Sequence, residues 1–437
     1  MDSKLPRQAG SITYCTTGVL LRRLQRDPED VFENYSHLII DEVHERDITV
    51  DLLLAVLKRE IEERLVGGKV VPRVVLMSAT IDAGLFARYF QRTLPGRETI
   101  HCPTLSVPGR LFPVTERHLE DIWESLQRDY PGQLNFIESD SVIAEYIEHE
   151  RQIARTQSLM TRTSRLEKSA DRTGRDLTIV DDLQKGNRTS DSPDASIGEH
   201  LEAHVPVALA AAVIAHLART THEGAILTFL PGLEEILKLE RCLRNDKPLA
   251  VDFQTPTKFK IFLLHSSISG ADQSEVFGSV PEGCRKIILA TNIAETSVTI
   301  PDVRYVVDTG KLREKQYDQV RRITKLQCTW ISKSNSTQRA GRAGRVQDGN
   351  YYALFSKARF ETMKATGLPE MLRSDLQEVC LHIKAQSLKA PIAEFLAGAI
   401  EPPPPQAVAY AVESLQKLEA LTDTEELTPL GRLLASL

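Results

Sequence analysis

Short apolar runs of strand length alternate with helical periodicity along the chain, and this alternation constrains the fold more than any other feature of the sequence. The runs are His37-Leu-Ile-Ile-Asp41, Arg73-Val-Val-Leu-Met-Ser78, Ala225-Ile-Leu-Thr-Phe-Leu230, Lys260-Ile-Phe-Leu-Leu264, Arg285-Lys-Ile-Ile-Leu-Ala290, Val303-Arg-Tyr-Val-Val-Asp308 and Asn350-Tyr-Tyr-Ala-Leu-Phe355. Continuous apolar character suits strands buried on both faces, and intervening amphipathic segments such as 48–65 supply the crossovers. The pattern predicts parallel α/β domains.

Composition sets the scale. The 437 residues are 41% hydrophobic and 26% charged, which is globular and excludes low-complexity or collagenous chains. At about 150 residues per domain, two or three domains are expected. The net charge of -6 excludes a globally basic nucleic-acid binder but leaves room for a local basic surface. Cys15, Cys102, Cys242, Cys284, Cys328 and Cys380 are scattered, without a metal-binding spacing, which fits a reducing compartment. No apolar run approaches the ~20 residues of a membrane span, and the first residues lack a secretory core. A soluble, intracellular protein is expected, with no membrane partner.

Four segments are expected: a partial first domain at 1–126, a polar linker or insertion at 127–204, a second α/β domain at 205–368, and a helical segment at 369–437. The polar stretch is read as partly disordered, with a charged, solvated helix around 143–166 as the alternative.

Three motifs carry chemistry. Asp41-Glu-Val-His44 closes an apolar strand and so delivers two carboxylates to the carboxyl edge of a sheet, where open α/β folds bind ligands. Such an Asp can hold Mg2+ through water, and the next carboxylate can orient or deprotonate a water. Ser78-Ala-Thr80 occupies the corresponding strand end one unit later. Gln338-Arg-Ala-Gly-Arg-Ala-Gly-Arg345 brings guanidinium groups, which stabilise charge on a transferring phosphoryl group. Read as a helix start, it places Arg342 and Arg345 on one face, with glycines admitting another surface. The hydroxyls of 290–300, with Asn292, suit phosphate or ribose. The stretch from Lys311 to Arg345 is basic, with Tyr317 and Trp330 in it, and reads as a strip for a nucleic-acid backbone; ordinary surface charge is the alternative.

Together these residues resemble the DEAH/RHA (DExH-box) group of superfamily 2 ATP-dependent RNA helicases. In chain order, Thr16-Thr-Gly-Val-Leu-Leu21 resembles motif Ib, Asp41 to His44 motif II, Ser78 to Thr80 motif III, Leu227-Thr-Phe-Leu-Pro-Gly232 motif IV, Ala290 to Ile300 motif V and Gln338 to Arg345 motif VI. The resemblance implies two RecA-like parallel-sheet domains, the first incomplete, with ATP and Mg2+ as cofactors and RNA as partner. It implies Glu42, Gln338, Arg342 and Arg345 as catalytic residues, and Asp41 and Glu42 at Mg2+ through water. Nucleotide contacts would come from Asp41, His44, Ser78, Thr80, Phe277, Thr299 and Asp302, with Phe277 stacking on the base. RNA contacts would come from Thr16, Gly18, Thr291 and Asn292. The stretches 369–386 and 426–432 resemble the entry to a winged-helix domain that stops early.

Two departures stand out. Pro301 occupies the position of a ribose-contacting Asp. No G-x-x-x-x-G-K-[ST] occurs, and Gly67-Gly-Lys69 runs into Val70, so the loop that cradles phosphates has no counterpart. Without its strand, the first sheet is expected to expose apolar side chains and backbone edges. The expectation is a helicase core fragment, weak or inactive alone. The alternative is a non-catalytic RNA-binding or regulatory pseudo-helicase.

Overall fold

The structure, a computed structural model, describes residues 10–79, 83–93, 99–107, 109, 112–170, 204–268, 273–296, 300–318, 321–385 and 390–435. The chain divides into two compact units. The first comprises 1–107, 315–325 and 368–437, and the second 108–314 and 326–367.

In the first unit the strands His37–Ile40 and Arg73–Leu76 pair in parallel, His37 opposite Arg73 and Ile40 opposite Leu76. The helix Ile48–Val66 makes the crossover between them. Asp47 starts it by accepting a hydrogen bond from the Val50 amide, and Gly67 ends it. Leu38 and Ile40 are buried with this helix, but on the other side of the pair Ile39 is 62% exposed, Val75 42% and Met77 41%. The apolar exposure expected of this sheet is therefore present. The same core takes in the helices Leu376–Ala385, Ile392–Ala397 and Pro405–Lys417. Arg46 joins the two stretches of sequence, bonding Asp51 and Glu401 at 2.7 Å each. The proline run does not simply break structure: Pro405 takes the first helical turn, where a missing N–H costs nothing.

The second unit is built on six parallel strands in the order Val114–Arg117, Gly349–Ala353, Val303–Asp308, Ala225–Phe229, Arg285–Ala290, Phe259–Leu264. Ala225–Phe229 and Arg285–Ala290 are buried throughout, as the apolar runs in them require, with Arg285 and Lys286 buried at the start of the second. The helices Val207–Thr220 and Leu233–Asn245 cover one face; Ile331, Ala340 and Ala343 pack on the other. Lys311–Asp318 and Ile323–Trp330 form a separate two-stranded sheet.

The structure draws the boundaries differently from the sequence. Position 126 falls inside the helix Leu119–Asp129, and this unit begins at Pro108 because Val114–Arg117 joins its sheet. The stretch expected to be a polar linker opens as core: Tyr130, Leu134, Ile137, Ile143, Tyr146 and Ile147 are all buried. An amphipathic helix needs only a stripe of apolar residues, so a polar average concealed them. A helix does run Ser141–Ala170, as the alternative had it, but Ile143, Tyr146, Ile147 and Glu150 on it are buried and not solvated; residues 171–203 lie outside the described residues. The helical segment after 368 packs in the first unit, not as a separate body.

The helix Ser141–Ala170 is held to its unit by a buried charge. Glu150 accepts from the Ser356 amide at 2.9 Å, the Ser356 hydroxyl at 2.7 Å and Arg359 Nε at 2.9 Å. Removing one partner of a buried pair strands the other. Glu150→Ala is therefore expected to destabilise the second unit by about 3 kcal/mol in denaturant unfolding, with Glu150→Gln costing less; an alanine variant as stable as the parent would contradict this packing.

Candidate functional site

The acidic motif sits where the first strand ends. Asp41 is exposed beyond Ile40, and its Oδ1 accepts from the Glu42 amide at 2.9 Å. Glu42 then takes a left-handed backbone, φ 54 and ψ 36, a conformation that L side chains occupy only when the surroundings impose it. The imposition is visible next door. Val43 is fully buried, and its amide donates to the Met77 carbonyl at 3.1 Å. The turn thus presents two adjacent carboxylates at the strand edge, a hard oxygen set suited to Mg2+ held through water. His44 Nδ1 lies 3.4 Å from Glu42 Oε2 and 3.4 Å from the Ala79 amide, so it touches both strand-end motifs of this unit. Ser78 is exposed beside it, and Thr80 lies outside the described residues. Thr16 is exposed at the start of the helix Thr17–Arg26, with no side-chain cap bond; Gly18 is in the first turn.

In the second unit the arginine motif closes a helix instead of opening one. Ser332 and Asn335 form a capping box at the start of Lys333–Gly341, and Gly341 is its last residue. Arg342 and Arg345 therefore lie in the turns that follow, which corrects the expectation of a shared helical face. Glycine is a poor helix former, and two of them three residues apart end the helix here. Gln338 is on the last turn. Arg342 is nearly buried and Arg345 half-buried.

Arg339, given no role from sequence, is wholly buried. Its Nε bonds Glu295 at 2.9 Å and its Nη1 bonds Asp308 at 2.8 Å. Asp308 also accepts from the Tyr351 hydroxyl at 2.7 Å, while Asn335 bonds Glu295. Burial alone would lower the Arg339 pKa; the carboxylates of Asp308 and Glu295 outweigh it and hold the guanidinium above its ordinary value. Burial pushes the Tyr351 hydroxyl well above its usual range, so it stays a donor. Glu295 belongs to the loop after the strand Arg285–Ala290, which also carries Thr291, buried, and Asn292, exposed. The network thus ties the arginine helix to that loop. A sequence signal existed: Asp308 closes an apolar run just as Asp41 does. Thr299 lies outside the described residues.

Phe277 stands on a short 3-10 turn, 48% exposed. Asp302, named among the nucleotide contacts and next to Pro301, pairs with Lys286 at 2.9 Å.

The basic strip is largely neutralised within the structure, which corrects its reading as a continuous nucleic-acid track. Lys311 is buried with its ammonium 3.4 Å from the Trp330 ring centroid, and Arg359 lies 4.4 Å from the same centroid. Arg313 pairs with Glu234 and Glu235. Arg321 and Lys325 flank Asp318. Tyr317 lines a cavity of about 340 Å³ with Arg322, Asp375 and Tyr410 in the first unit. Among the described residues no helix is long and apolar enough to cross a membrane.

Residues 209–347 match the family model of the helicase conserved C-terminal domain, and residues 411–437 that of the helicase associated domain (HA2), winged-helix. Over the whole chain the sequence is 38% identical to the human ATP-dependent DNA/RNA helicase DHX36 and 39% identical to the DExH-box ATP-dependent RNA helicase DExH1 of Arabidopsis thaliana, spanning 40% of each. The chain is thus similar in sequence to DExH-box helicases throughout, over about two fifths of the length of these relatives. The solved structure of the E. coli DExH-box NTPase HrpB matches 96% of this chain and 39% of its own at a TM-score of 0.60 and 27% identity. The parallel sheet of the second unit is the RecA-like sheet of the DExH-box fold, and the match to the helicase conserved C-terminal domain ends just past Arg345. The HA2 match covers the end of the helix Pro405–Lys417 and the helix Pro429–Leu434.

The two glycines of the arginine motif differ. A Cβ on Gly344 would lie 2.6 Å from the Phe112 carbonyl oxygen and 2.7 Å from Val114, whereas one on Gly341 meets nothing within 4 Å among the described residues. Gly344→Ala is expected to lower the stability of the second unit by about 2 kcal/mol, and Gly341→Ala to leave it equal or higher. Thermal unfolding in which the two variants behave alike would contradict the placement of this motif.

Proposed function

We propose that the chain is the motor core of an ATP-dependent RNA helicase that couples ATP hydrolysis to movement on, or unwinding of, RNA. The observation that carries the reading is that one chain holds both chemistries: a carboxylate turn after the strand His37–Ile40 and, in a RecA-like unit, a guanidinium turn after the helix Lys333–Gly341, buttressed by Arg339. In this reading Glu42 accepts a proton from the hydrolytic water, Gln338 orients that water, and Arg342 and Arg345 stabilise charge as it develops on the phosphoryl oxygens. Asp41 and Glu42 hold Mg2+ through water; the ion supplies charge neutralisation to the phosphates. His44, Ser78 and Thr80 link the nucleotide to domain movement, with Thr299 and Phe277 on the nucleoside. Thr16, Gly18, Thr291 and Asn292 meet the RNA backbone, where contacts carry no sequence information.

The sequence contains no G-x-x-x-x-G-K-[ST], and the finer proposal is that ATP turnover by these 437 residues is slow. The same feature favours a second reading, a non-catalytic RNA-binding protein with a helicase fold. One assay separates them: ATP hydrolysis with and without single-stranded RNA. The motor reading expects turnover stimulated by RNA and reduced about 10³-fold by Arg342→Ala or Arg345→Ala, and at least as much by Glu42→Gln. RNA binding without hydrolysis, or hydrolysis indifferent to Glu42→Gln, would favour the second reading. Turnover at the rate of intact relatives would overturn the proposal of weak activity alone.

A further inference from the structure

The second position of the fully buried strand Arg285–Ala290 is a lysine, in a place where a charge is costly unless every donor is satisfied. The Lys286 ammonium donates to the Val276 carbonyl at 2.9 Å and the Gly278 carbonyl at 3.0 Å, and pairs with Asp302 Oδ2 at 2.9 Å. An ammonium has three N–H groups, and all three are used. Two of the acceptors are the carbonyls on either side of Phe277. The Val276 side chain is fully buried, so the turn is anchored from below by packing and gripped on both flanks by one cation. The large apolar side chain left exposed in it is the Phe277 ring, while the exposed Glu275 pairs with Lys260. Asp302 contributes as the counter-ion. Its side chain is 41% exposed overall, but Oδ1 is buried without a hydrogen-bond partner among the described residues.

We propose that Lys286 is a positioning residue for nucleobase stacking: it locks the 276–278 turn so that the Phe277 ring is held ready for the base of an adenine nucleotide, with Asp302 as its counter-ion instead of a sugar ligand. The proposal rests on the reading of Phe277 as the stacking residue. A ring fixed before the ligand arrives loses less freedom on binding, a saving of about two- to tenfold in affinity for one immobilised side chain. Stacking also reads the face of a base and not its edge, so the device strengthens binding without selecting among purines.

ADP binding by the full chain, followed by ligand-observed NMR titration, tests this. Phe277→Ala and Lys286→Met are each expected to weaken ADP binding by about tenfold, and Asp302→Asn by a smaller factor. Because Lys286 acts through Phe277, Lys286→Met and Asp302→Asn are expected to have no further effect in the Phe277→Ala background. A general loss of structure would not be cancelled in that way. If Lys286→Met fails to fold, Asp302→Asn in the two backgrounds decides. Weakening by Phe277→Ala alone, or additive effects, overturns the role of Lys286 and leaves stacking intact. An unchanged affinity in Phe277→Ala, or no ADP binding by the parent chain, removes the stacking reading and this proposal with it.

Discussion

A single buried guanidinium organises the second unit. Arg339 lies between Glu295 and Asp308 with no exposure to solvent, and each of those carboxylates has further partners in Asn335, Tyr351 and the Gly310 amide. A charge taken so far from water is tolerable only because two carboxylates face it through Nε and Nη1, and with Nη2 buried and unbonded among the described residues it is intolerant of either partner moving away. Three stretches distant in sequence are thereby joined: the loop after Arg285–Ala290, the end of Val303–Asp308, and the helix Lys333–Gly341. Thr291 and Asn292, proposed to meet RNA, and Gln338, proposed to orient the hydrolytic water, thus stand on elements sharing one electrostatic knot.

The first unit rests on different physics. Its carboxylate turn is held by apolar anchoring of Val43 and by backbone bonds to Met77, and a left-handed Glu42 bears the strain. Its two-stranded sheet has one face packed on the helix Ile48–Val66 and another bearing exposed Ile39, Val75 and Met77. A pair of strands is marginal by itself, and stability here comes from the helices on the packed side, including those from residues 376–417.

Much of this was legible in the sequence. Every expected strand is present: Ala225–Phe229 is legible because it is buried on both faces, and the strands of the first unit are legible as short apolar runs although one face of their sheet is exposed. The carboxylate pair lay at a strand end as expected, and the exposed face of the first sheet followed from counting the strands available to cover it. What was not legible depends on direction and partnership. Composition treats Lys311, Arg313, Arg339 and Arg359 alike, yet two point into aromatic or acidic interiors, one pairs with Glu234 and Glu235, and one holds Glu150. The strip read as a track for nucleic acid is in large part internal scaffolding. Likewise a polar average over 127–204 hid Tyr130, Ile137 and Tyr146, since a helix needs to bury only one side. Asp302 was named only as a nucleotide contact; its lysine partner sits sixteen residues earlier, on a neighbouring part of the sheet, where no local spacing rule reaches.

The central claim is that the loop at Glu295 and the arginine helix form one cooperative body through Arg339. Native-state amide hydrogen exchange on Glu295→Gln tests it most directly. A lost hydrogen bond to a charged group is worth about 1.5–3 kcal/mol, so amides throughout the helix Lys333–Gly341 are expected to exchange at least about tenfold faster, together with those of residues 291–296. Acceleration confined to the loop, with the helix unchanged, would contradict the account.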